Sequence, residues 1–160
     1  MTTLLQNLHK LKDLFESDME NGHFYAKLAF LELCGWIEEK NDDIVRNLGE
    51  RCLHSEKCRK DLESEIKQVH SFSYEDGIRR LIIRAVGLQG VERTEGIIGG
   101  KDIDILTSKL KTLKLKRNEQ AHTFISGVTQ KLDAPSVTIN EYEEIKELLN
   151  KIERALESIQ

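Results

Sequence analysis

Long apolar runs are missing from this sequence: Lys27 and Glu32 interrupt the longest one, well short of the roughly 18 to 20 residues that a bilayer crossing requires. A membrane span is therefore not expected, and the chain reads as soluble. Alternation of β-branched with polar residues is equally scarce, while Leu, Glu, Lys and Arg are plentiful, which favours helices over strands. Proline occurs once, at Pro135, and no repeat, low-complexity tract or linker divides the 160 residues. A single domain with one core, spanning 1–160, is expected. The three cysteines, Cys34, Cys52 and Cys58, are odd in number and in no paired spacing. They argue against a disulfide framework and for a reducing cytoplasm, the more so because Met1 to Asp13 reads as an amphipathic helix rather than a signal peptide. Charge of one sign does not dominate: 24 Lys and Arg against 28 Asp and Glu leave a net −4. Taken over the whole chain, that balance marks neither a nucleic-acid binder nor an acidic tail.

What is present is helical periodicity. Leu4, Leu8, Leu11 and Phe15 recur at helical spacing, predicting an amphipathic first helix that Asn21-Gly22 ends. From Phe24 to Ile37 apolar residues lie nearly all round, as in a central buried helix. Beyond Asp42-Asp43, Ile44, Leu48, Cys52, Leu62, Ile66 and Val69 keep one stripe in phase, which predicts a long helix crossing the bundle. Ser73 and Asp76 start a further helix by capping-box logic, with Tyr74, Ile78, Leu81, Ile82 and Ala85 inward and Arg79, Arg80 and Arg84 directed elsewhere.

Five glycines between Gly87 and Gly100 predict an irregular loop, a candidate lid. Asp102 can cap the next helix, with Leu106, Leu110 and Leu113 inward and Lys109, Lys111, Lys114 and Lys116 outward. Ala121, Phe124, Ile125, Val128 and Leu132 form the stripe of a segment that Pro135 stops. A last helix is capped by Asn140 and Glu143 and carries Tyr142, Ile145, Leu149, Ile152, Leu156 and Ile159, for packing within the bundle or against a second copy. The expected fold is an all-α bundle of four to six helices, up-and-down with a long central helix pair.

Two tempting motifs do not hold. Cys52, His54 and Cys58 lack the four ligands and the paired spacing of a structural zinc site, so no metal is expected. Gly96 to Lys101 resembles a phosphate loop only loosely, because Asp102 replaces the hydroxyl and no strand precedes it. Chemistry is concentrated instead in Leu113 to Phe124, where a basic run with no acid between Ile105 and Asn118 leads into Arg117, Asn118 and His122. Asn118 and His122 are four apart and share a helix face, and Arg117 has the reach to join them. On spacing alone, Arg117 continues the basic face and His122 is a satisfied histidine at a helix boundary.

Resemblance shifts that balance. Arg117-Asn118-x-x-Ala121-His122, opening a late helix in an all-helical chain of this size, resembles the arginine-x4-6-histidine motif of the HEPN (higher eukaryotes and prokaryotes nucleotide-binding) superfamily. It looks most like the nucleases of prokaryotic defence and toxin-antitoxin loci. The motif covers six residues, and only the coarse helical layout extends it. Phe124 stands where a subset of toxins has a tyrosine modified by a partner nucleotidyltransferase, a departure that tells against that regulation here.

The resemblance implies a HEPN-like fold and a metal-independent endoribonuclease without cofactors, cleaving RNA through 2'-hydroxyl attack. His122 would act as acid or base and Arg117 would hold the phosphate, with Asn118 orienting either group and Glu119 and Glu38 supporting. Lys109, Lys111, Lys114 and Lys116, with Arg79, Arg80 and Arg84, would give the RNA backbone a positive field. One histidine per chain implies a homodimer with a composite cleft, and the family setting implies an antitoxin or other defence-system partner. The alternatives are a helical module that dimerises or binds a partner through Tyr142 to Ile159, and a nucleotide-binding module without cleavage.

Overall fold

The structure is a computed structural model that describes residues 3–69, 71–122 and 132–159, with the side chains of Ala121 and His122 outside that description. Six α-helices follow one another: α1 (Thr3–Ser17), α2 (Gly22–Cys52), α3 (Glu56–Gln68), α4 (Arg80–Ile98), α5 (Gly100–His122) and α6 (Pro135–Ser158). A short π-helical turn, Tyr74–Arg79, leads into α4. There is no strand among the described residues, and none of their helices is long and apolar enough to cross a membrane. The all-α bundle expected from the periodicity is the observed architecture.

α2 is the central element, packed against every other helix and the π turn. Its buried residues Ala29, Leu33, Ile37, Ile44, Val45 and Leu48 meet Leu4, Leu8 and Leu11 of α1 and the stripe of α6 in one core. Trp36 contributes an edge-on contact to the Tyr142 ring at 4.8 Å. The α6 residues Tyr142, Ile145, Leu149, Ile152 and Leu156 are all buried inside the chain. That stripe is buried within its own bundle.

Several local expectations are corrected. α2 does not end at Asp42-Asp43, because Arg46 one turn later pairs with both carboxylates, at 3.6 and 3.3 Å, and with Glu63 at 3.0 Å. Carboxylates so held no longer compete for the helix backbone. The long helix expected over Ile44 to Val69 is instead two, broken at Leu53–Ser55, so the stripe folds back on itself. Gly49 permits this close return, since a Cβ there would lie 2.5 Å from Leu62 Cδ2.

The segment 87–100 is not a loop. Helix α4 runs through it, burying Val91 and Thr94 three residues apart, and breaks only at Gly87 (φ 73°) and Gly99 (φ 89°), where the backbone is left-handed. The glycines serve those two breaks rather than a lid. Asp102 lies in the first turn of α5 and holds Lys151 of α6 at 2.8 Å. Ser73 does sit before the π turn, but its hydroxyl meets Ser71 at 2.9 Å instead of capping a backbone N–H. α6 starts at Pro135, not Asn140, with the proline in the first turn where its missing N–H costs nothing. The stripe expected from Phe124 to Val128 falls outside the described residues.

Candidate functional site

Arg117 and His122 lie in α5 more than four turns after its start at Gly100, so the motif does not open a helix. The apolar spacing Leu106, Leu110, Leu113 keeps α5 seated on the core up to this point, and all three are buried. Asn118 and His122 occupy one face of the helix, four residues apart. Asn118 and Glu119 are exposed, and the His122 side chain, with its geometry to Arg117, lies outside the described residues.

Arg117 is directed towards α2. Its Nη2 donates to Glu38 Oε1 at 3.4 Å, and both side chains are more than a third exposed. That is long against the roughly 2.7 to 2.9 Å of a strong charge-assisted bond. The guanidinium is thus loosely held. The structure brings together Arg117 and Glu38, two residues 79 apart in the chain.

Beside this pair is a cavity of about 200 Å³. α2 lines it with Glu38, Asn41 and Asp42, which share one face at i, i+3 and i+4. The rest of the wall comes from Ile66 and Lys67 of α3, Val69 and Ser71 of the connection, Ile78 of the π turn, Leu81 of α4 and Arg117 of α5. Five elements therefore converge here.

Asn41 is only 3% exposed, and neither its Nδ2 nor its Oδ1 has a hydrogen-bond partner among the described residues. Leaving such an amide unpaired costs about 1–3 kcal/mol, so a native site of this kind calls for an explanation. Its neighbour Asp42 has its carboxyl raised above the ordinary value of 3.8, chiefly by burial, with Arg46 opposing. Deeper still, burial pushes the Cys34 thiol up to about 12, the Glu38 charge adding and Arg117 opposing. Cys34 is therefore a neutral core residue and no nucleophile.

The raised Asp42 carboxyl yields a prediction. A carboxyl whose folded value is raised stabilises the fold when protonated, and that contribution is lost as pH rises through the folded value. Asp42→Asn should flatten the dependence of melting temperature on pH just above 3.8, and thermal melts across a pH series will read this directly. A wild-type slope retained in the variant would assign it to other groups.

The basic residues are less free than their spacing suggests. Lys109 pairs with Glu144, Lys114 with Asp76 at 3.7 Å and Lys116 with Asp133 at 2.7 Å, whereas Lys111 is exposed. Arg79 is held by Glu95 at 2.7 Å, and the same carboxylate accepts from the Tyr74 hydroxyl at 3.0 Å. Burial and the Glu95 charge push that phenol up. Arg80 and Arg84 face Glu65 at 4.0 and 3.7 Å. Exposed pairs such as those of the lysines are worth about 0–1 kcal/mol each, so a polyanion can displace them.

No motif in the sequence marks Asn41 and Asp42 as site residues. The signal was there for Asn41: Ile37, Asn41, Val45 and Leu48 continue one stripe, and an amide stands at a core position within it. Cys52 is partly buried and Cys58 exposed, and among the described residues no group of three or more His, Cys, Asp or Glu is arranged to hold a metal. No family model, curated protein or solved structure matches the chain.

Proposed function

We propose that the chain is a metal-independent endoribonuclease that works as a homodimer, acting as a toxin or defence effector restrained by a partner protein. The observation that carries this reading is the loosely held guanidinium of Arg117, with one long contact to Glu38, on the wall of a polar cavity and five residues before His122. A guanidinium in that state keeps donors for phosphate oxygens as negative charge builds on them.

In this reading the RNA 2'-hydroxyl attacks the adjacent phosphorus. A base removes the hydroxyl proton, the P–O5' bond breaks, and an acid protonates the leaving oxygen. The products are a 2',3'-cyclic phosphate and a 5'-hydroxyl. Histidine, with an ordinary pKa of about 6.5, fills either role near neutral pH. One chain supplies one His122, so the partner copy supplies the second proton-transfer group. Asn118, on the same helix face, orients the imidazole or the phosphate, and Glu38 positions Arg117. Lys109, Lys111, Lys114 and Lys116 attract the backbone once phosphates displace their carboxylate partners.

A second reading, nucleotide binding without cleavage, is favoured by the unpartnered Asn41 amide beside Arg117. Cleavage of diverse RNAs in excess chelator, comparing wild type with Arg117→Ala and His122→Ala, separates the two. Chelator-resistant cleavage lost in both folded variants supports the nuclease. A wild type that binds nucleotide but leaves every RNA intact supports the second reading.

A further inference from the structure

We propose that the cavity beside Arg117 is a nucleobase pocket in which the side-chain amide of Asn41 reads the edge of one base carrying an exocyclic amino group. The inference rests on the reading that the ligand at Arg117 is a nucleotide, whether or not it is cut.

The amide sets the chemistry. Asn41 has an unpartnered donor and an unpartnered acceptor on one planar group, and it lines the cavity. Its complement is a planar ligand that offers an acceptor beside a donor. Adenine does so through N7 and its N6 amino group, and cytosine through N3 and its N4 amino group. Both amide atoms are shut off from solvent, so a turn about the side-chain bonds accompanies binding.

The remaining walls narrow the choice. Glu38 and Asp42 are carboxyl groups that accept from an amino group, whereas the two carbonyls of uracil would face them oxygen to oxygen. Ile66 and Leu81 supply apolar surface for the ring faces. A volume of about 200 Å³ matches about seven water molecules, at roughly 30 Å³ each, or a single heterocycle. Arg117 on the same wall is more than a third exposed, where the phosphate attached to a seated base would emerge.

A base within an RNA strand and the base of a free nucleotide offer the same edge, so both are tested. Binding is measured on the His122→Ala chain, so that RNA survives, with short homopolymers of adenylate, cytidylate and uridylate and separately with AMP, CMP and UMP. Asn41→Leu and Asn41→Ala are introduced into that background, and circular dichroism melts show which variants fold. The expected result is a preference for the amino-bearing bases over uracil of about tenfold, with the affinity for the amino-bearing bases falling by about tenfold in both Asn41 variants, the size of one good bidentate contact. RNA that still binds with unchanged affinity in a folded Asn41 variant overturns the pocket and leaves the RNA reading intact. Asn41-dependent binding of AMP without RNA binding supports the pocket, names the free nucleotide as its source and removes the nuclease. Binding of neither, with the cavity holding water alone, overturns the proposal.

Discussion

Replacing His122 with alanine should lower the rate of RNA cleavage by about 10²- to 10⁴-fold, the usual contribution of a positioned acid or base. Arg117→Ala should cost about 10²- to 10³-fold, as expected for one lost donor to a developing oxyanion. The two variants separate in their pH profiles. His122→Ala should lose the rise or fall of rate near neutral pH that an imidazole produces, while Arg117→Ala should keep it at a lower amplitude. Both should melt within a few degrees of wild type, because Arg117 is more than a third exposed and its contact with Glu38 is long. A mixed dimer of one His122→Ala chain and one wild-type chain tests the composite cleft, since an imidazole acting within a single chain would leave half the activity. Full activity in His122→Ala would end the nuclease reading.

Gly77→Ala should be among the most destabilising single-methyl additions available to the chain. Gly77 sits in the π turn with φ −108° and ψ −106°, a backbone conformation outside the helical region, and it is buried. A Cβ there would collide with the carbonyl oxygen of Ser71, a backbone atom that cannot swing aside as a side chain would. The connection from Val69 to Ser73 must then shift, and Val69 and Ser71 line the cavity beside Asn41 and Arg117. Overpacking of this kind costs about 1–3 kcal/mol, and each kcal/mol lowers the melting temperature by roughly 2–4 °C in a chain of this size. Ligand binding should weaken more than stability alone explains. A Gly77→Ala chain with wild-type melting and binding would show that the turn yields without strain.

The parts of the fold that could be read directly were those whose burial follows helical period. α1 and α6 carry narrow apolar stripes with charged residues opposite, so their existence and inward faces followed from spacing alone. Breaks were harder, because a polar or glycine residue stops a helix only if nothing else satisfies it. Asp42 and Asp43 look like a terminus until Arg46 is seen to hold both. The five glycines look like a loop until Val91 and Thr94 are seen to anchor a helix between two left-handed positions.

The candidate site divides in the same way. Arg117, Asn118 and His122 could be singled out because their chemistry lies in one short segment. Glu38 and Asn41 carry no such local signal of belonging to the site, because α2 meets α5 through tertiary packing and not through sequence distance. The basic run was visible, but its neutralisation by Asp76, Asp133 and Glu144 was not, since those acids come from other parts of the chain.

By itself, then, the order of residues determined the helical class, the inward faces of the amphipathic helices and the segment where an arginine, an amide and a histidine lie together, because each is set by spacing along one helix. Only the tertiary structure decided that Arg117 turns towards Glu38, that α6 spends its apolar stripe within the chain, and that a buried asparagine lines one cavity with this pair. Those outcomes depend on which faces five separate elements present to one another, and no local period encodes that.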